Sequence, residues 1–220
     1  MFFVIIIIFI ICFIKVFLVD KTKIRFNTFL KKGFKAIDGD YGVYCYVGKQ
    51  GSFKTYNCIN FLLDNRDLPI YTNVSSINKK VIPYTYFKQL YDIIDYIVAN
   101  NVTDCIVFLD EIFSYVEKNK KIDKKLLSFL SQLRKRRIIF ITTAQEWLEI
   151  NMTFRRYCRY MIKTKKINFI TSSYLIKSFY DAEQMQWSNE ENDYVCPMIS
   201  RSIEKANIYT ANLYDTLEVI

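Results

Sequence analysis

Two short runs of this chain, CIVFLD (residues 105–110) and IIFITT (138–143), are almost unbrokenly apolar until their last residues. A strand with one face in water alternates polar and apolar side chains, so runs without alternation must be covered on both faces. That requirement predicts a sheet between two layers of helices. The intervening segments supply them. Leu90, Ile93, Ile94 and Ile97 fall on one helical stripe of YFKQLYDIIDYIVANN (86–101), and Leu126, Leu127, Leu130 and Leu133 on one stripe of KKLLSFLSQLRKR (124–136). YGVYCYV (41–47) and LPIYTNV (68–74) read as two more strands, with a helix over 53–64 between them. Strands and helices in alternation predict an α/β fold, a three-layer sandwich around a mainly parallel sheet. Beyond residue 155 the pattern shifts to the shorter strand-like pieces YCRYMIKT, KINFITSSYLI and KSFYDA, read as a hairpin extension. The core domain is placed at 39–180, and 181–220 is a C-terminal extension, of weak periodicity, that wraps it.

The first strand runs into GKQGSFKT (48–55), which nearly has the spacing G-x-x-x-x-G-K-[ST] of a phosphate-binding loop. Such a loop needs a strand, a tight turn whose N–H groups converge on phosphate oxygens, and a helix that starts at the same point. All three are in place. Gly48, Lys49, Gln50, Gly51, Ser52, Phe53, Lys54 and Thr55 are the expected loop, with Lys54 reaching the β- and γ-phosphates and the Thr55 hydroxyl on Mg²⁺. Phe53 departs from the pattern, standing where the second glycine belongs. It keeps a backbone donor, and at an already helical position the exchange costs little. The alternatives are a working site, a weakened one, and a chance run of Gly, Lys and Thr.

The buried runs weigh against chance. CIVFLDEI ends in Asp110 and Glu111, where a carboxylate can hold Mg²⁺ together with Thr55 and a second one can polarise the attacking water. IIFITTAQ carries Gln145 just past its end, and ligands of open α/β sheets sit at the carboxyl ends of strands. Taken singly, a strand can end in Asp-Glu or in a loop glutamine for no more reason than that it meets solvent.

The net charge is +9, which favours an anionic partner: nucleotide, nucleic acid or membrane surface. There is no histidine, so histidine catalysis and histidine metal ligation are excluded. Six scattered cysteines without a C-x-x-C pair read as reduced, buried thiols of a cytosolic compartment. Met1–Val19 is apolar except for Lys15; as a helix it is about 28 Å long, enough for a single-pass membrane anchor. A secretory signal or a core helix are the rival readings. Lys21, Lys23, Arg25, Lys31, Lys32 and Lys35 follow it, so 20–38 reads as a basic juxtamembrane linker and the remaining chain as cytoplasmic, at the host cell membrane.

GKQGSFKT, PIYTNV, VFLDEI and LSQLRKRRIIFITTAQ, in this order, resemble the FtsK/HerA-like branch of P-loop ATPases, and within it the Zot-like (zonula occludens toxin-like) phage assembly proteins and viral genome-packaging ATPases. The resemblance covers about residues 39–165 and implies a P-loop NTPase fold with ATP and Mg²⁺ as cofactors. It also implies Gln145 as a γ-phosphate sensor and a homo-oligomeric ring in which an arginine reaches the neighbouring subunit's ATP. Arg155, Arg156 and Arg159 in FRRYCRY are the candidates for that arginine, followed by Arg134, Arg136 and Arg137. Viral DNA and other assembly or coat proteins are the implied partners. An N-terminal anchor departs from the Zot pattern, where the anchor follows the ATPase domain. The expected function is a membrane-anchored motor for viral assembly, export or DNA packaging, extrusion and capsid filling both being open. A non-hydrolysing adaptor that binds nucleotide weakly is the alternative, and a small-molecule kinase fits poorly.

Overall fold

The structure is a computed structural model that describes residues 41–168 and 173–215. The anchor expected over 1–19 and the linker over 20–38 lie outside the described residues. Among the described residues, no helix is long and apolar enough to cross a membrane.

Eight strands form one sheet in the order β10-β7-β6-β1-β5-β4-β2-β3. They are β1 (Gly42–Val47), β2 (Ile70–Thr72), β3 (Thr85–Tyr86), β4 (Cys105–Leu109), β5 (Ile138–Ala144), β6 (Cys158–Asn168), β7 (Ser173–Asp181) and β10 (Met198–Lys205). Every pairing from β6 through β1, β5, β4 and β2 to β3 is parallel, whereas β6–β7 and β7–β10 are antiparallel. A separate hairpin pairs β8 (Gln186–Ser188) with β9 (Asp193–Val195).

The three apolar runs occupy the centre, β1, β5 and β4 being wholly buried. Successive side chains go to opposite layers. Val43, Cys45 and Val47 of β1, with Val107 and Phe140, pack against helices α2 (Leu90–Ala99), α4 (Lys124–Gln132) and α5 (Met152–Tyr157). Tyr44 and Tyr46, with Ile106, Phe108, Ile139 and Ile141, pack against α1 (Lys54–Asp64) through Cys58, Ile59, Phe61 and Leu62. A short helix α3 (Phe113–Val116) follows β4. The layered α/β/α arrangement is therefore the one expected.

Packing, rather than propensity, makes the helices. α2 has ten residues and is too short to stand alone in water. Its expected stripe of Leu90, Ile93, Ile94 and Ile97 is fully buried, and at about 2 kcal/mol per side chain that burial outweighs the weak helix preference of isoleucine.

Three boundaries differ from expectation. The second strand keeps only 70–72, because Asn73 turns its polar side chain to β4 instead of extending the ladder. The separate pieces 157–164, 166–176 and 177–182 merge into β6 and β7, and β6 is no peripheral extension: it pairs directly with β1. The segment after 181 contributes β10 to the sheet edge, then α6 (Ile208–Ala211), whose Thr210 hydroxyl donates to Asn60 on α1 at 3.2 Å.

Candidate active site

The carboxyl ends of β1, β4 and β5 meet at a cleft of about 630 Å³. Its lining includes Gly51, Lys54 and Thr55 from the loop, Asp110 and Glu111 after β4, and Thr143 on β5. The parallel register accounts for this convergence, since Val47 pairs with Ala144 and Leu109 with Thr142.

The loop is pinned from both sides. Gly48 donates its N–H to the Ala144 carbonyl at 3.2 Å. Ser52 Oγ and Thr164 Oγ1 are 3.1 Å apart, and Thr164 Oγ1 also donates to the Val47 carbonyl at 3.3 Å. A Cβ on residue 48 would lie 2.7 Å from the Thr164 carbonyl oxygen, so only glycine lets β6 come this close. Gly51 stands at φ 75°, a left-handed turn that also favours glycine.

Phe53 does not meet the condition under which a bulky residue would cost little. It is not helical but left-handed, at φ 68° and ψ 29°, and it precedes the first helical residue, Lys54. A bulky L-residue there is strained, so the exchange of the second glycine is not cheap. Its ring packs on Tyr56 at 5.2 Å between centroids. Phe53 gives α1 no side-chain cap. The N–H groups of the first turn are thus left for a ligand, and the positive end of the helix dipole faces the cleft.

Lys54 Nζ donates to the Gly48 carbonyl at 2.7 Å and to the Lys49 carbonyl at 3.2 Å. Burial pushes its pKa down, while the nearby Asp110 and Glu111 push the other way. The ammonium thus holds the loop closed around the place where phosphate oxygens would take over its protons.

Asp110 is the most constrained group. The Thr55 hydroxyl donates to its Oδ2 at 3.0 Å and Thr143 Oγ1 to its Oδ1 at 2.5 Å. Its backbone N–H donates to Asn73 Oδ1 at 2.9 Å, and Asn73 Nδ2 returns a bond to its carbonyl at 3.3 Å. Burial raises its pKa, partly offset by the two hydroxyl bonds. A desolvated carboxylate beside a hydroxyl calls for a cation. No group of three acidic, cysteine or histidine side chains among the described residues could cage a metal. One carboxylate plus one hydroxyl suits Mg²⁺, which keeps its waters and takes its other ligands from phosphate.

Glu111 sits at φ 57°, a left-handed turn that aims its side chain into the cleft, and its N–H donates to Thr143 Oγ1 at 3.0 Å. Gln145 is exposed and reaches Glu111 Oε1 at 3.5 Å. Gln50 lines the cleft. Lys49 points to solvent and Ser52 is buried beneath the loop.

The arginines lie elsewhere. α5 precedes β6, and the 134–137 run precedes β5, so both stand at the amino edge of the parallel sheet, away from this cleft. Arg155 is corrected as a group that reaches a neighbour. It is 2 % exposed, bonded to Asp193 at 3.2 Å and set over the Trp147 ring at 6.0 Å. Arg134 pairs with Glu183, Arg136 bonds Gln132 and Asn101, and Arg137 pairs with Asp104 at 2.6 Å. Arg156 is exposed.

Sequence reasoning missed four contributors. Thr143 and Asn73 were legible as polar residues ending apolar strands. Lys166, on β6, sits with its Nζ 4.8 Å from the centre of the Phe53 ring. Tyr214 reaches the cleft only because the chain returns over α1, and burial raises its phenol pKa. No local pattern announces that return.

The family of ATPases associated with various cellular activities (AAA) has a model that matches residues 45–166. No curated protein matches the chain. Among solved structures, the N-terminal domain of zonular occludens toxin from Neisseria meningitidis has a TM-score of 0.55 at 17 % identity, covering 80 % of this chain and 100 % of that one. The genome-packaging NTPase B204 of Sulfolobus turreted icosahedral virus 2, with ATP-gammaS, scores 0.48 at 10 % identity over 72 % of this chain and 98 % of its own. The KaiC-like protein PH0186 of Pyrococcus horikoshii OT3 scores 0.47 at 13 % identity over 76 % and 97 %. The first is similar in fold; the other two superpose too loosely to bear on it.

Proposed function

Because this chain belongs to the family of ATPases associated with various cellular activities, we propose that its cleft at Lys54 and Asp110 hydrolyses ATP to drive a membrane-anchored motor of viral assembly or DNA translocation. The observation that carries the catalytic part is the Thr55–Asp110 hydrogen bond of 3.0 Å, set beside the uncapped start of α1. Three requirements of phosphoryl transfer meet there: a nest of N–H donors, a mobile ammonium, and a hydroxyl–carboxylate pair.

The chain's own residues divide the work. The N–H groups of Gly51, Phe53, Lys54 and Thr55 hold the β-phosphate, while that of Ser52 closes the turn onto the Lys49 carbonyl, and Lys54 leaves the Gly48 and Lys49 carbonyls to follow charge onto the γ-phosphate. Thr55 and Asp110 would hold Mg²⁺, which when bound neutralises the β- and γ-oxygens. Glu111 accepts the hydrogen bond of the attacking water, and Gln145, through its contact with Glu111, couples that carboxylate to the end of β5. Asn73 and Thr143 keep Asp110 and Glu111 in place.

The apolar residues 1–19, the basic stretch 20–38 and the net charge of +9 support a single-pass anchor with the ATPase domain on the cytoplasmic face of a host membrane, acting on DNA. The resemblance of GKQGSFKT, PIYTNV, VFLDEI and LSQLRKRRIIFITTAQ to Zot-like assembly proteins favours assembly or export as the task. A ring with Arg156 reaching the next subunit's nucleotide completes the reading, since Arg156 alone of the three arginines of FRRYCRY is exposed, Arg155 being buried and Arg159 half-buried. The test uses the full chain in nanodiscs: ATP turnover with and without single- and double-stranded DNA, beside the particle mass. A motor shows DNA-stimulated turnover in an oligomer; turnover indifferent to both DNAs in a monomer overturns the motor. The left-handed Phe53 favours a second reading, an adaptor that binds nucleotide and turns it over slowly; tight MgATP binding with no measurable turnover would select it.

A further inference from the structure

Phe53 occupies a position where glycine would be unstrained, and its ring lies under a lysine that the catalytic reading leaves unused. Three observations bear on that pairing. Lys166 Nζ stands 4.8 Å from the ring centroid, within cation–π range. Lys166 and Phe53 line the same cleft as Lys54, Thr55 and Asp110. Two residues before Lys166 on the same strand, Thr164 is bonded to Ser52 and to the Val47 carbonyl, so the backbone that carries Lys166 is fixed to the phosphate loop itself.

We propose that Lys166 is a second polyphosphate-binding cation, and that Phe53 is its platform. Lys166 alternates with Thr164 along β6, so both side chains fall on the face of the strand that meets the loop. A lysine side chain has four rotatable carbons and would otherwise sample solvent. The phenyl face holds it over the cleft, and does so weakly, because a cation on an exposed ring is bound less firmly than one that donates to a phosphate oxygen. An incoming polyphosphate therefore draws Lys166 off the ring at small cost. Asp110, Glu111 and Asp215 line the cleft against two cations, Lys54 and Lys166, so Lys166 brings the site toward balance before an anionic ligand arrives. A strained residue kept beside the loop is then a functional constraint on this strand pair.

The proposal rests on the nucleotide reading, so the experiment carries a control for it. Full-length protein in nanodiscs is titrated with MgATP and with AMP by calorimetry. Lys166→Met should weaken MgATP about tenfold, the worth of one charge-assisted hydrogen bond, and weaken AMP far less. Lys166→Arg should restore MgATP affinity to within about twofold, because the charge and the ring contact both survive, whereas a merely structural role on β6 would not show this dependence on phosphate number. Phe53→Leu removes the ring face; it should weaken MgATP by a smaller factor and add nothing to Lys166→Met in the double variant. Lys54→Ala should lose MgATP binding. If it does while Lys166→Met binds within twofold of the parent, the role of Lys166 is overturned and the nucleotide site stands. If Lys54→Ala binds like the parent, the nucleotide reading and this inference fall together. Additive losses for Phe53→Leu and Lys166→Met would overturn the platform.

Discussion

Replacing Phe53 by glycine and, separately, by alanine isolates the strain in the phosphate loop. Both variants lose the phenyl ring and its contact with Tyr56 at 5.2 Å, so that loss cancels between them. What differs is one Cβ on a backbone at φ 68° and ψ 29°. A left-handed conformation costs an L-residue about 1–2 kcal/mol, which glycine avoids. Alanine recovers about 0.4–1 kcal/mol by restricting the unfolded chain. The difference leaves glycine ahead by about 0.5–1 kcal/mol, the reverse of the order at ordinary positions. For a domain of this size that is about 2–3 °C in Tm. Against the parent, the glycine variant gains the strain term and loses the aromatic contact, about 0.5–1.5 kcal/mol, so it should fall close to the parent. Urea unfolding of all three proteins, with equal m-values, measures the order. Alanine equal to or more stable than glycine would refute the strained loop.

Asp110→Asn should remove MgATP binding yet stabilise the unliganded protein, because a raised carboxylate pKa means that the fold bears the cost of a buried charge. The sign fixes the window: the gain is full above the raised native pKa and disappears as pH falls to the unfolded value of about 3.9, where the parent's acid is protonated too. Asn73→Ala breaks both bonds to the Asp110 backbone and should cost about 2 kcal/mol in urea unfolding while lowering kcat more than it raises KM. Arg155→Met should cost about 3 kcal/mol by leaving Asp193 only the more distant Lys118, at 4.0 Å, as a counter-charge, and Arg155→Met with Asp193→Leu should recover most of it in thermal unfolding.

What was legible in the sequence follows from periodicity and from local chemistry. β4 and β5 declare themselves because nothing polar interrupts them, and α2 because its four apolar residues share a stripe. Lys54 and Thr55 were legible from the phosphate-loop spacing and Asp110 as a strand-end residue, and the fold brings Thr55 and Asp110 within one hydrogen bond. The conformation of Phe53 was not legible, because φ is set by the loop's closure against β6, which no neighbour in sequence encodes. The length of β6 was missed because its burial comes from β1 on one side and β7 on the other, so lysines punctuate it without ending it. Arg155 looked like one of several surface arginines; only the returning β8–β9 hairpin, through Asp193, buries it.

The most direct measurement is steady-state MgATP hydrolysis by the full chain beside its Lys54→Ala variant, both in nanodiscs. A cleft built as described turns ATP over, and loss of the Lys54 ammonium lowers the rate by about a hundredfold or more, as removal of one preorganised charge-stabilising donor does. Equal rates for the two proteins would contradict it.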